Sequence, residues 1–293
     1  RQRVVSILCG YLRTQRGERE TAVNEQDGPE QSSEEKVYVS HDGAVESTVL
    51  EVLVRHLRKR CEKTKHREAV TQLVEDDQLW CDCTIDLHDA VLTEIADFRG
   101  ATFNRYADFQ DATFNRDADF RGATFNRDAN FQDATFNRDA DFWGATFTNV
   151  ADFLGATFNR YADFWGATFN RYADFGGATF TNVADFLGAT FTNSANFLGA
   201  TFNHNANFQD ATFNRDANFR GATFTNVADF WRATFNHNAD FRGATFTNVA
   251  NFEGATFNHN ADFRGATFTN NAYFGGATFS RSAPPRGLPP EQV

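Results

Sequence analysis

The chain has 293 residues, 34 of them Phe and none Met, and a formal net charge of −11. Residues 96–282 hold 18 Asp and one Glu against 14 Arg and no Lys, a net of −5, so most of the remaining −6 falls in the leader. This mixed, mildly acidic surface argues against direct nucleic-acid binding by the repeat region, and no stretch approaches the ~20 apolar residues that a membrane span needs.

Residues 1–84 read as a helical leader with an acidic linker. Val45, Val49, Val52, Leu53 and Leu57 recur at the three- and four-residue steps of an amphipathic helix. Residues 14–36, rich in Glu, Gln, Ser and Gly, read as a mobile linker. The basic run Arg55, Arg58, Lys59, Arg60, Lys63, Lys65 and Arg67 follows the helix, where cations complement its C-terminal dipole. An anionic partner is the other reading of that run. The four cysteines, Cys9, Cys61, Cys81 and Cys83, lack the paired spacing of a structural zinc site and read as reduced thiols.

Residues 85–282 form the main domain. From Ala96 the pattern Ala-Asp-Phe-x-x-Ala-Thr-Phe-x-x-x runs seventeen times, and all 34 Phe lie between Phe98 and Phe279. The Phe spacing alternates five and six, as in Phe98, Phe103, Phe109, Phe114, Phe120 and Phe125. Neither a helix nor one straight strand carries such a period, so the chain must turn at regular intervals. Ala and Phe, two apart, point inward together, while the Asp, Asn or Thr between them points out. Ile85-Asp86-Leu87 and Ala90-Val91-Leu92 repeat the spacing with aliphatic residues, giving eighteen units. Two units per turn make about nine coils of 22 residues, a rod on the order of 40 Å long at ~4.8 Å per coil. Leu79, Trp80, Ile85 and Leu87 are placed to close its first end. Residues 283–293 form a Pro-rich tail, expected to be disordered and unable to extend a strand ladder.

These blocks resemble the pentapeptide-repeat family, whose motif places a small residue, then Asn or Asp, then a central Leu or Phe before two variable residues. The resemblance implies an all-β solenoid, a right-handed quadrilateral β-helix, here with a small α-helical N-terminal region. Segments 3–13 and 52–58 are also similar to the helical region that precedes the repeats in actinobacterial-type members. Some members bind DNA gyrase in place of DNA, which makes gyrase one possible partner. Yet a rod of this length would need on the order of 24 negative charges to match duplex DNA. The repeats net five.

A packed rod offers no concavity for catalysis, so the chain reads as non-enzymatic, with no cofactor and no metal. His237 and His259, 22 apart, should stack on neighbouring coils. The residue after Phe on one face is Trp143, Trp165, Leu187 and Trp231 at successive or nearby coils, with Tyr161 and Val183 beside them. Such a stripe is a candidate interface for a protein partner or for a homodimer. The chain begins at Arg1 without a methionine, so it is expected to be a fragment or a trimmed product. The reading is cytoplasmic, with membrane tethering on the cytoplasmic side only through an upstream segment.

Overall fold

The structure, a computed structural model, describes residues 1–14, 17–22, 35–40, 42–58, 79–280 and 285–288. Its body is a solenoid of four nine-stranded parallel sheets. The first face runs from Ala96–Asp97 to Asn271–Tyr273 and the second from Thr102–Phe103 to Thr278–Phe279. The third runs from Ile85–Asp86 to Ala261–Asp262 and the fourth from Val91–Leu92 to Thr267–Phe268. Every strand pairs with the one 22 residues on, as Asp141 with Asp163 and Phe147 with Phe169.

Two corner types explain the alternating five- and six-residue spacing. After an Ala-Asp-Phe strand the corner is short: Ala145 N–H donates to Phe142 O at 2.9 Å, and Gly144 between them has φ +60°. This is the type II pattern, whose third residue must have positive φ and so favours glycine. Asp89, Asp111, Asp133, Asp210 and Arg232 occupy the same corner at φ of 52 to 57°. After an Ala-Thr-Phe strand the corner is one residue longer and needs no positive φ.

The interior is a lattice of phenyl rings. Phe186 stacks on Phe164 and Phe208 at 4.8 Å and meets Phe175 and Phe197 edge-on at 5.4 and 5.5 Å. Phe98, Phe103, Phe109, Phe114, Phe120 and Phe125 are all buried in this lattice. The stacking repeat matches the strand spacing, so ladder and core impose the same register.

The leader covers the first coil. Helix α1 (Gln2–Arg13) buries Val5, Cys9 and Leu12, and helix α2 (Gly43–Leu57) buries Glu46, Val49, Leu50, Leu53, Val54 and Leu57. The sequence reading placed the α2 face slightly off: Val45 is exposed, Val52 is half-buried, and Glu46 faces inward. The reason is the open ladder. Glu46 accepts the N–H of Thr93 at 2.6 Å, the position that one coil on bonds back to the coil before it as Asn115 N–H to Leu92 O, and the corner N–H of Glu94 at 3.1 Å. Arg58 does the converse, donating to the carbonyls of Asp97 and Arg99 at 3.1 and 2.7 Å. It therefore does more than balance a helix dipole. Trp80 stacks on His56 at 4.0 Å, and Ile85 and Leu87 are buried beneath the helices. Cys9, Cys81 and Cys83 are buried, and burial pushes the Cys9 thiol up to about 11.

Two further expectations are revised. Within and just beyond the stretch read as a linker, β1 (Gly17–Ala22) pairs antiparallel with β2 (Glu35–Ser40). The Val37-Tyr38-Val39 run supplies the β-propensity that the acidic composition masked. In the tail, Arg286 extends the third face: its N–H donates to Ala261 O at 3.0 Å and its carbonyl accepts Phe263 N–H at 2.7 Å. Proline removes a donor only at its own position, and Arg286 keeps both groups. Lys59, Arg60, Cys61, Lys63, Lys65 and Arg67 lie outside the described residues. At this last coil Phe268, Phe274 and Phe279 remain half-buried, with Leu288 packed nearby. No described helix is long and apolar enough to cross a membrane.

Candidate protein-interaction surface

Along the first face, where the last coil has Tyr273, the outward Asp or Asn does a structural task on every coil from Asp97 to Asn251. Its Oδ1 accepts the backbone N–H two residues on, at 2.9 Å for Asp141 to Trp143, 2.8 Å for Asp163 to Trp165 and 2.9 Å for Asp185 to Leu187. This N–H stands at the corner, outside the ladder, and a short side-chain acceptor satisfies it. What differs from coil to coil is the partner of the second carboxylate oxygen.

In the first coils that partner is arginine. Arg99 binds Asp97 at 2.7 Å and reaches Asp119 at 3.4 Å; Arg121 binds Asp119 at 2.5 Å and reaches Asp141 at 3.3 Å. Burial alone would raise the Asp97 carboxyl, but hydrogen bonds from Arg99 and the charge of Arg58 outweigh it and hold the group at about 2. From the next coil the arginine column becomes Trp143, Trp165 and Leu187. Asp185 is still satisfied, by the Tyr161 hydroxyl at 3.0 Å and the Asn207 amide at 3.0 Å. Asp163 is different: no described residue hydrogen-bonds its second oxygen. Burial, with the neighbouring Asp141 and Asp185 charges and against the Trp165 N–H, pushes its carboxyl up to about 6.

The sign of the resulting pH dependence is fixed. A folded pKa above the ordinary 3.8 means that Asp163 favours the fold fully below about pH 4 and loses that contribution as pH rises through about 6. Asp163→Asn should therefore gain melting temperature relative to the parent chain between pH 4.5 and pH 7.5. Parallel melting curves for the two chains across that range would contradict the assignment.

Trp143 and Trp165, each 48% exposed, stack at 5.7 Å with 27° between their planes. Leu187 sits half-buried one coil on, and Tyr161 and Val183 line the other side of the Asp163 column, also half-buried. The six candidate residues do not form one patch. Trp231 stands two coils beyond Leu187, past Gln209, and carries its own cation, with the Arg232 guanidinium 4.9 Å from its ring. On the opposite face Leu154 and Leu198 are exposed but separated by Gly176.

Two other clusters bear on chemistry. His237 and His259 stack at 4.9 Å, and His237 also bonds Asp216. At the leader junction, Asp86, His88 and Asp108 bring ligand-type atoms within 4.8 Å of one another. Arg13 supplies the cation there, 2.9 Å from Asp86 and 3.0 Å from His88 Nδ1, tying α1 to the third face. Asp86 and Asp108 face each other across neighbouring coils, 22 residues apart, whereas the leader cation Arg13 that joins them is not signalled by the repeat spacing.

Four parallel ladders closed around a continuous phenyl core define a repeat β-solenoid. The family model described as "Pentapeptide repeats (9 copies)" matches overlapping stretches at residues 84–124, 98–146, 115–157, 132–179, 164–212, 175–223, 198–245 and 241–283. The chain belongs to the pentapeptide-repeat family. No curated protein and no solved structure gives a match to the sequence.

Proposed function

We propose that this chain is a non-catalytic interaction scaffold that engages a protein partner through the mid-rod surface around Trp143 and Trp165. The carrying observation is that two stacked indoles, each about half exposed and followed by Leu187, stand in a column whose other members are Arg99, Arg121, Gln209, Trp231, Glu253 and Gly275. Large aromatics left in water on a rigid, flat β-face are a costly arrangement for a solitary rod and a favourable one for an interface. Rigidity helps here, because a preorganised ladder loses little conformational entropy on binding.

Gyrase-directed DNA mimicry is the weaker reading. Arg99, Arg121, Arg242 and Arg264 pair with the Asp columns and leave no continuous line of free carboxylates. A supercoiling assay at saturating protein should show gyrase unaffected.

Trp143→Asp/Trp165→Asp is the direct test. Both side chains lie outside the core, so the melting temperature should hold while recovery of the partner drops at least tenfold. Sedimentation of the purified chain alone distinguishes a homodimer, which the double variant would convert to monomer, from a scaffold for another protein. Unchanged oligomeric state together with unchanged partner recovery would remove the stripe from consideration.

A further inference from the structure

The chemistry of the mid-rod surface also identifies what kind of group it receives. From the vacancy left in the arginine column beside Asp141 and Asp163, we infer that the Trp143–Trp165 surface binds an arginine side chain carried on an extended segment of a protein partner. The inference rests on the interface reading above and deepens it.

Three features of the molecule converge on this. The chain itself shows what satisfies this column, since Arg121 binds Asp119 and reaches the Asp141 carboxylate one coil on at 3.3 Å. The same bridge between Asp141 and Asp163 would need a guanidinium at residue 143, where the chain has tryptophan. The second Asp163 oxygen is thus the acceptor left over when arginine is withdrawn from the column, between Asp141, which Arg121 reaches, and Asp185, which Tyr161 serves.

The aromatic rings supply the second feature. A guanidinium over an indole face gains from the ring quadrupole, and a carboxylate at the ring edge adds a charge-assisted hydrogen bond. The pairing is already used on this face at Trp231, where Arg232 lies over the indole at 4.9 Å. Trp143 and Trp165 offer the same platform without a resident arginine: the residues following them are Gly144 and Gly166.

The third feature is Tyr161. Tyr161 and Trp165 stand two residues before and two after Asp163, and the Tyr161 hydroxyl goes to Asp185 rather than to Asp163. A planar, weakly hydrated guanidinium suits a carboxylate among aromatic neighbours better than a strongly hydrated ammonium. The two indoles stand one coil apart, so a segment lying along the rod passes over both while one arginine reaches Asp163, which is why an extended partner is assigned.

The test uses the full chain and three short capped peptides that alternate glycine with arginine, lysine or glutamate, followed by tryptophan fluorescence and calorimetry at low salt. The arginine peptide should bind and perturb the indole emission, the lysine peptide should bind several-fold more weakly, and the glutamate peptide should not bind. Asp163→Asn should weaken the arginine peptide at least tenfold, and Trp143→Arg, which refills the column from within, should abolish its binding. Asp174→Asn, on the opposite face with the same charge change, should leave affinity unchanged. Equal losses in Asp163→Asn and Asp174→Asn would reduce the effect to general electrostatics and overturn the inference, as would no binding of the arginine peptide. If the Trp143→Asp/Trp165→Asp chain loses its partner while Asp163→Asn keeps full affinity for that partner, the interface stands and the arginine assignment falls.

Discussion

Replacing Phe186 with alanine should destabilise the rod by about 3 to 5 kcal/mol, the range for deleting a fully enclosed phenyl ring. Its ring is fully buried and has six phenyl neighbours, including Phe180 at 6.0 Å and Phe191 at 6.4 Å besides the two stacked and two edge-on partners. Backbone ladders hold the coils 4.8 Å apart, so they cannot close on the void, and the cavity term stays near its maximum. Phe279→Ala gives the internal comparison. That ring sits at the last coil, half-buried, with Phe257 at 4.9 Å and Phe274 at 6.4 Å, and its loss should cost about 1 to 2 kcal/mol. Thermal melts should rank the two variants in that order, and amide exchange should speed up mainly in the coils adjoining Phe186, because each repeat contacts only its neighbours. Equal destabilisation by the two would mean that the core is not the stacked lattice described.

Glu46→Ala should have the next largest effect, about 3 kcal/mol, since each buried donor stranded without an acceptor costs about 1 to 3 kcal/mol. The Glu46 side chain is fully buried and accepts the Thr93 hydroxyl at 2.6 Å as well as the two backbone N–H groups. No apolar replacement can serve these donors. Glu46→Gln keeps one carbonyl oxygen and should lose roughly half as much. Exchange at the Thr93 and Glu94 amides reports the damage locally. If those amides stay protected in Glu46→Ala, the carboxylate is not what closes the first coil.

The body of the fold was legible because one short period carries every instruction for it. Phe and Ala two apart give the inward side, and the Gly or Asp that follows gives the short corner. The eleven-residue unit, taken twice, gives the coil. The ends were less legible, because an end is defined by bonds that a next coil would have made. Nothing in the apolar spacing of the leader helix marks Glu46, and only the Thr93 and Glu94 N–H groups it accepts explain its burial. Arg286 was hidden among prolines for the same reason.

The exposed column was legible as residues and not in its chemistry. Trp143, Trp165 and Leu187 follow from counting by 22, but Trp231 belongs to a separate locus with its own arginine. Asp163 was one member of a column in the sequence. Its distinction emerges only when the second oxygen of each carboxylate in that column is traced to Arg99, Arg121, Tyr161 or Gln209 and one is found without such a partner.

Hydroxyl-radical footprinting of the chain bound to its natural partner tests the central claim most directly. Trp143, Trp165 and Tyr161 should be protected at least several-fold, while Trp231 and Tyr172, exposed elsewhere on the rod, keep their free reactivity. Protection centred on Tyr172, Leu154 and Leu198, with Trp143 and Trp165 as reactive as in the free chain, would place the interface on the opposite face and contradict the account.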